Sequence, residues 1–168
     1  MKTLVIHPFD ITTGFLEDIY IDKDWTVVDW NPSKCGLKNL IKEHDRIIML
    51  GHGTEDGLLG YNRFVINSEL VYLLREKLCV CIWCNADKFV EKYSLKGFYT
   101  GMIISEYEEA IMFCVNATNT EIYNSNVLFA KAIKDSIDDD NMLSKSKLIY
   151  DGNTEIINFN KNNLFENI

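Results

Sequence analysis

Apolar runs of three to seven residues alternate along the chain with longer segments of helical period, the pattern of βα units that build a parallel sheet. Leu4-Val5-Ile6 reads as a first strand closed by Pro8, and Thr13 to Tyr20 as a short helix. Trp25 to Trp30 forms a second strand, stopped by Asn31-Pro32 because the residue before a proline is pushed out of helical geometry. Ser33 caps a helix to about His44, with Leu37, Leu40 and Ile41 on one face. A third strand, Arg46 to Leu50, runs into Gly51-His52-Gly53, and the Gly-punctuated stretch to Ile66 reads as a small hairpin over the strand end.

Asn67 or Ser68 then caps a helix through Lys77. Cys79 to Trp83 is a fourth strand with Cys84 directly after it, Ala86 to about Leu95 a helix, and Phe98 to Ile104 a fifth strand. Helical segments cover Tyr107 to Cys114 and Val127 to Ile137, and Leu148-Ile149-Tyr150 before Asp151-Gly152 reads as a last strand and turn. The expected architecture is therefore an α/β three-layer sandwich with a mostly parallel sheet of five to six strands. It occupies a single domain over residues 1–157, with an Asn-rich, loosely ordered tail over 158–168.

Composition narrows the class of protein. At 168 residues the chain suits one domain with a real core, and no apolar run approaches the roughly 20 residues needed to span a bilayer. A net charge of -8 with 17 Lys plus Arg argues against a nucleic-acid partner, which needs a concentrated positive surface. The N-terminus carries no apolar export segment, which points to the cytoplasm. Five cysteines at irregular spacing, with Cys79 and Cys81 alternating inside one strand, read as reduced thiols rather than a disulfide framework. Cys35, Cys79, Cys81 and Cys114 read as small core hydrophobes, and His7 and His44 as structural or solvated.

In an open parallel sheet, chemistry gathers where strands deliver their C-terminal ends. His52 and Cys84 both sit at that edge, each directly after an apolar strand, and one crossover between them makes those strands candidates for neighbours. Neighbouring parallel strands lie about 4.8 Å apart, so an imidazole and a thiol at their ends can face one gap. A thiolate attacks carbonyl carbon and an imidazole can take up and return the proton. The backbone N–H groups of Gly53 and Cys84 are candidates for an oxyanion hole.

The segments Ile47-Ile48-Met49-Leu50-Gly51-His52-Gly53 and Cys79-Val80-Cys81-Ile82-Trp83-Cys84 resemble the signature of the caspase, gingipain and clostripain group of cysteine peptidases. That signature is an apolar strand ending in His-Gly followed, a few dozen residues later, by an apolar strand ending in the nucleophilic Cys. The resemblance implies the caspase-hemoglobinase fold, Cys84 as nucleophile, His52 as general acid and base, a peptide or protein substrate, and no cofactor or metal. The chain departs from caspases proper in having Ile82-Trp83-Cys84-Asn85-Ala86 around the Cys. The resemblance further implies a pocket for the side chain before the cut. Asp10, Asp87 and Glu106 stand at the corresponding loops, and acidic walls there would favour Lys or Arg; equally, all three acids suit helix caps facing water.

Other readings stay open. Cys81-Ile82-Trp83-Cys84 has the spacing of a metal or redox motif, although Cys81 lies within a strand and no second ligand pair is evident. Gly51-His52-Gly53 with Gly57 and Gly60 resembles a phosphate loop only weakly, lacking the Lys-Ser/Thr ending. A binding module on the same fold, holding a small signalling molecule or protein segment beside His52 and Cys84 without turnover, is the main rival from another class.

Overall fold

A computed structural model describes residues 1–167. Its elements in chain order are β1 (Thr3–Ile6), a 3-10 segment (Ile11–Ile19), β2 (Thr26–Val28), α1 (Lys34–Glu43), β3 (Arg46–Leu50), β4 (Gly53–Thr54), β5 (Gly57–Gly60), β6 (Arg63–Ile66), α2 (Val71–Leu74) and β7 (Leu78–Ile82). There follow α3 (Ala86–Tyr93), β8 (Lys96–Thr100), α4 (Tyr107–Met112), α5 (Asn119–Ser136), α6 (Met142–Ile149), α7 (Glu155–Asn162) and β9 (Leu164–Asn167). The fold is an α/β sandwich around a mixed six-stranded sheet, ordered β2-β1-β3-β7-β8-β9, in which only β9 runs antiparallel.

Period-two alternation delivers every central strand to two cores, which is why these strands read as continuous apolar runs. Leu4, Ile6, Ile47, Met49, Cys79 and Cys81 face a layer containing Leu37 and Ile41 of α1 and Phe89 of α3. Val5, Ile48, Leu50, Val80 and Ile82 face the opposite layer, with Leu16 of the 3-10 segment and Phe129 and Ile133 of α5. A second, three-stranded antiparallel sheet, β4-β5-β6, closes over the end of β3 as the glycine pattern predicts. Among the described residues no helix is long and apolar enough to cross a membrane.

Two expectations at the C-terminal end fail. Leu148 and Ile149 belong to α6 rather than to a strand, because α6 is docked on α5 by the buried Ser136–Ser146 hydroxyl pair at 2.6 Å. Tyr150, wholly buried, then places its hydroxyl 2.6 Å from that of Ser125. The tail is ordered through Asn167, ending α7 and forming β9; Ile168 lies outside the described residues. Three of its asparagines, Asn160, Asn163 and Asn167, bond backbone groups. The Asn160 amide accepts from the Ile104 N–H at 2.8 Å and donates to the Ile104 carbonyl at 2.9 Å, while Asn167 donates to the Leu95 carbonyl. Leu164 is fully buried and Phe165 stacks on Tyr99. Composition reads such a segment as loose; long-range partners order it.

The thiols divide differently from expectation, whereas His7 and His44 take the structural role expected of them. Cys79 and Cys81 are core residues, but Cys35 and Cys114 are exposed. His7 and His44 are both buried and serve structure. His7 bonds the Tyr20 and Thr13 hydroxyls, and His44 bonds the Leu40 carbonyl and the Thr26 hydroxyl.

Candidate functional site

β3 and β7 are hydrogen-bonded neighbours in parallel register, Leu50 opposite Ile82, so the residues after them emerge side by side. After Leu50 the chain turns at Gly51, whose φ of +139° lies where side chains are rarely tolerated. The Gly51 N–H donates to the Ile82 carbonyl at 3.1 Å and holds the two strand exits together. The His52 carbonyl accepts from Leu59 at 2.8 Å, anchoring the hairpin immediately beside the imidazole. On β7, Trp83 is buried and Cys84 follows. Asn85 then takes a left-handed conformation, φ +65°, and α3 begins.

His52 and Cys84 line one crevice of about 30 Å³, room for about two water molecules, together with Thr13, Gly51, Ile103 and Glu109. The imidazole is 38% exposed. Its Nε2 lies 2.6 Å from Thr12 Oγ1 and 3.6 Å from Asp10 Oδ1. The Cys84 thiol donates weakly to the Ile103 carbonyl at 3.6 Å. Burial pushes this thiol up to about 11, and the carboxylates of Glu109 and Glu106 push in the same direction. The ligand-free protein therefore holds Cys84 as a thiol at neutral pH, although the sequence places it beside an imidazole and a helix start, where a thiolate would be expected.

Gly53 does not line the crevice; Gly51 does. What requires glycine at 53 is packing, since a Cβ there would overlap the Trp83 ring and sit 2.6 Å from the Gly57 carbonyl. The Trp83 indole N–H donates to the Thr54 carbonyl at 3.0 Å, so the indole clamps the hairpin to the end of β7.

The three acids proposed for a substrate pocket are not brought together. Asp10 lies beside His52, its carboxylate accepting from the Thr12 N–H at 2.8 Å and the Thr12 hydroxyl at 2.6 Å. Asp87 is in the first turn of α3, off the crevice lining, and its Oδ1 is buried without a hydrogen-bond partner among the described residues. Glu106 precedes α4 and lines a neighbouring groove of about 390 Å³ with Glu108, Asn119 and Asn126. The acid that does reach the crevice is Glu109, held by the Ser105 and Glu106 N–H groups at 2.8 and 3.1 Å. His52 also borders a groove of about 490 Å³, together with Asp10 and Phe9 and with Tyr61, Arg63 and Phe64 of the hairpin.

Sequence reasoning missed Thr12 and Glu109. Both carried a local signal: Asp10-Ile11-Thr12 is an acid-capped helix start, and Glu109 stands three residues after Glu106 as in a capping box. Neither signal says that the element points at a thiol or an imidazole. Cys81 projects into the core layer of Leu4 and Phe89 whereas Cys84 lines the crevice, so the pair spaced as Cys-x-x-Cys does not share a site. Among the described residues no three His, Cys, Asp or Glu side chains cluster as metal ligands. Comparison with protein-family models, with curated proteins and with solved structures gave no match.

Proposed function

We propose that this chain is a caspase-like cysteine endopeptidase with a Cys84–His52 dyad. The observation that carries the reading is that adjacent parallel strands β3 and β7 end in a histidine and a cysteine whose side chains line one crevice. That shared crevice supports reading the two motifs, which resemble those of the caspase, gingipain and clostripain group, as one site.

In this reading the proton moves with the attack, because burial raises the Cys84 thiol. Cys84 does not start as a thiolate; its proton passes to His52 as the sulfur attacks the peptide carbonyl carbon, and the carbonyl electrons move onto oxygen. Collapse of the tetrahedral adduct breaks the C–N bond, the leaving amine takes the proton from His52, and a Cys84 thioester remains. Water, deprotonated by His52, then attacks the thioester and releases the acid, and the proton returns to sulfur. Grooves of about 490 and 390 Å³, which share His52 and Ser105 respectively with the crevice, suit an extended peptide.

A Lys or Arg before the cut is the preferred substrate feature. Glu109 lines the crevice, Glu106 and Glu108 line the adjoining groove, and neither lining contains a Lys or Arg. Like-charged substrate side chains would add to the carboxylate repulsion already felt by Cys84.

One observation favours the alternative, a non-catalytic module that binds a small molecule or protein segment in the same crevice: the half-buried thiol is held protonated in a space for only about two waters. Peptide acyloxymethyl ketones with Lys, Arg or Asp at the terminal position separate the two readings by intact mass. The peptidase reading expects Lys and Arg probes to modify wild type and to leave Cys84→Ala and His52→Ala unmodified. Absence of any adduct with the whole panel favours the binding module, and labelling by Asp probes alone refutes the acidic pocket.

A further inference from the structure

We propose that Thr12 and Asp10 are positioning residues for His52, forming a one-way relay in which the imidazole Nε2–H donates to the Thr12 hydroxyl and that hydroxyl donates to the Asp10 carboxylate. The inference rests on the reading of His52 as the proton carrier and assigns the group that orients it.

Counting protons gives the direction. Thr12 Oγ1 lies 2.6 Å from Asp10 Oδ1 and 2.6 Å from His52 Nε2, and it has a single proton to give. An ionised carboxylate only accepts. If the Thr12 proton pointed at His52, two lone-pair-bearing oxygens would face each other at 2.6 Å with nothing between them. With the proton on the Asp10 side, Thr12 accepts from Nε2–H and all contacts are satisfied. Asp10 stays ionised, because the Thr12 hydroxyl and N–H, with a smaller contribution from His52, hold its carboxyl below the ordinary value. The neutral imidazole is then the Nε2–H tautomer, which leaves Nδ1 with the lone pair that takes the thiol proton.

Protonation of Nδ1 creates an imidazolium whose positive charge lies 3.6 Å from Asp10 through Nε2, so the relay stabilises the protonated state that attack by Cys84 requires. Asp10 was a candidate for the substrate pocket. Its two hydrogen bonds to Thr12 and its approach to His52 give it a different task. The relay is local in construction, since Asp10-Ile11-Thr12 is an acid cap with its first-turn hydroxyl, yet it reaches His52 only because β1 and β3 are neighbours.

The test follows the ring nitrogens and C–H protons of His52 by NMR in ligand-free protein, wild type against Asp10→Asn, Thr12→Val, Thr12→Ser and the Asp10→Asn/Thr12→Val pair. Asn keeps the helix-capping oxygen and loses only the charge. Besides Asp10, the charged or titratable groups bordering the same crevice and groove as His52 are Cys84, Glu109, Tyr61 and Arg63, all left unchanged in these variants. Arg63 is turned to Asn31 and the Pro32 carbonyl. Expected are a dominant Nε2–H tautomer in wild type and in Thr12→Ser, and a shift toward a mixture of the two tautomers in Thr12→Val, which loses the oxygen that accepts from Nε2–H. Asp10→Asn should shift the ratio in the same direction, and the double variant should move little further than Thr12→Val alone.

An unchanged tautomer ratio in both single variants overturns the relay, as does an Nδ1–H tautomer in wild type. An equal change of tautomer ratio from Asp10→Asn with and without the Thr12 hydroxyl also overturns it, since Asp10 then acts directly. Thermal unfolding of each variant identifies any that fail to fold, and Thr12→Ala replaces Thr12→Val in that case. The NMR readout needs no substrate. An intact relay in a protein that no peptide probe labels therefore removes the peptidase reading alone.

Discussion

Alkylation of Cys84 tests the central electrostatic statement about the site. An ordinary thiol value of 9.0 is raised to about 11, first by burial and then by Glu109 and Glu106, so at neutral pH the thiolate is about a hundredfold scarcer than in an ordinary cysteine. A more basic thiolate is also a better nucleophile, and a Brønsted slope of about 0.4–0.5 returns nearly tenfold of that loss. Iodoacetamide should therefore modify Cys84 about tenfold more slowly than the exposed Cys35 and Cys114, before the narrowness of the crevice slows it further. Peptide mapping after timed quenching reads all three rates in one sample. The Cys84 rate should rise about tenfold per pH unit through the mildly alkaline range, without a plateau below about 11. Glu109→Gln should raise it at fixed pH and leave Cys35 and Cys114 unchanged, while keeping an acceptor for the Ser105 and Glu106 N–H groups. Labelling of Cys84 as fast as the exposed cysteines at neutral pH, or a plateau there, would refute the reasoning. Either result means that a thiolate–imidazolium pair already exists in the resting protein and that burial does not dominate.

Three further outcomes follow from the structure. Gly53→Ala should cost about 2–3 kcal/mol, or about 5–10 °C in Tm, because the new methyl meets the Trp83 ring and the Gly57 carbonyl; urea unfolding within about 0.5 kcal/mol of wild type would show that the hairpin yields. His7 is lowered to about 4 chiefly by burial, so the unfolded chain takes up its proton first as pH falls from about 6.5. Wild type should accordingly lose about 2 kcal/mol more than His7→Asn between about pH 7 and pH 5, measured by denaturant unfolding, and parallel curves would contradict the assignment. Leu164→Ala should destabilise by about 2–5 kcal/mol as a core truncation does, whereas a loose tail predicts no change in the unfolding midpoint.

Much of the frame was legible in the chain. Strands buried on both faces must be apolar along their buried length, and that requirement marked Leu4 to Ile6, Ile47 to Leu50 and Cys79 to Ile82 without any knowledge of their partners. Strand ends are punctuated locally by glycine and polar residues, so His52 and Cys84 could be placed at one edge from sequence, and β3 and β7 are indeed neighbours. The tertiary structure decided what those two side chains meet. Thr12 and Asp10 reach His52 from a segment some 40 positions away, Glu109 reaches the crevice from α4, and the Trp83 ring fills the place a Gly53 side chain would take. Periodicity reports which face a residue prefers, not which distant atoms stop a few ångströms from it. The same holds for the thiol: residue type and strand position suggested activation, but a pKa is set by how much water the folded chain removes and which charges it brings near, and here burial prevails. It holds for the tail as well, where local composition promised no order and a hydrogen-bonded place beside β8 supplied it.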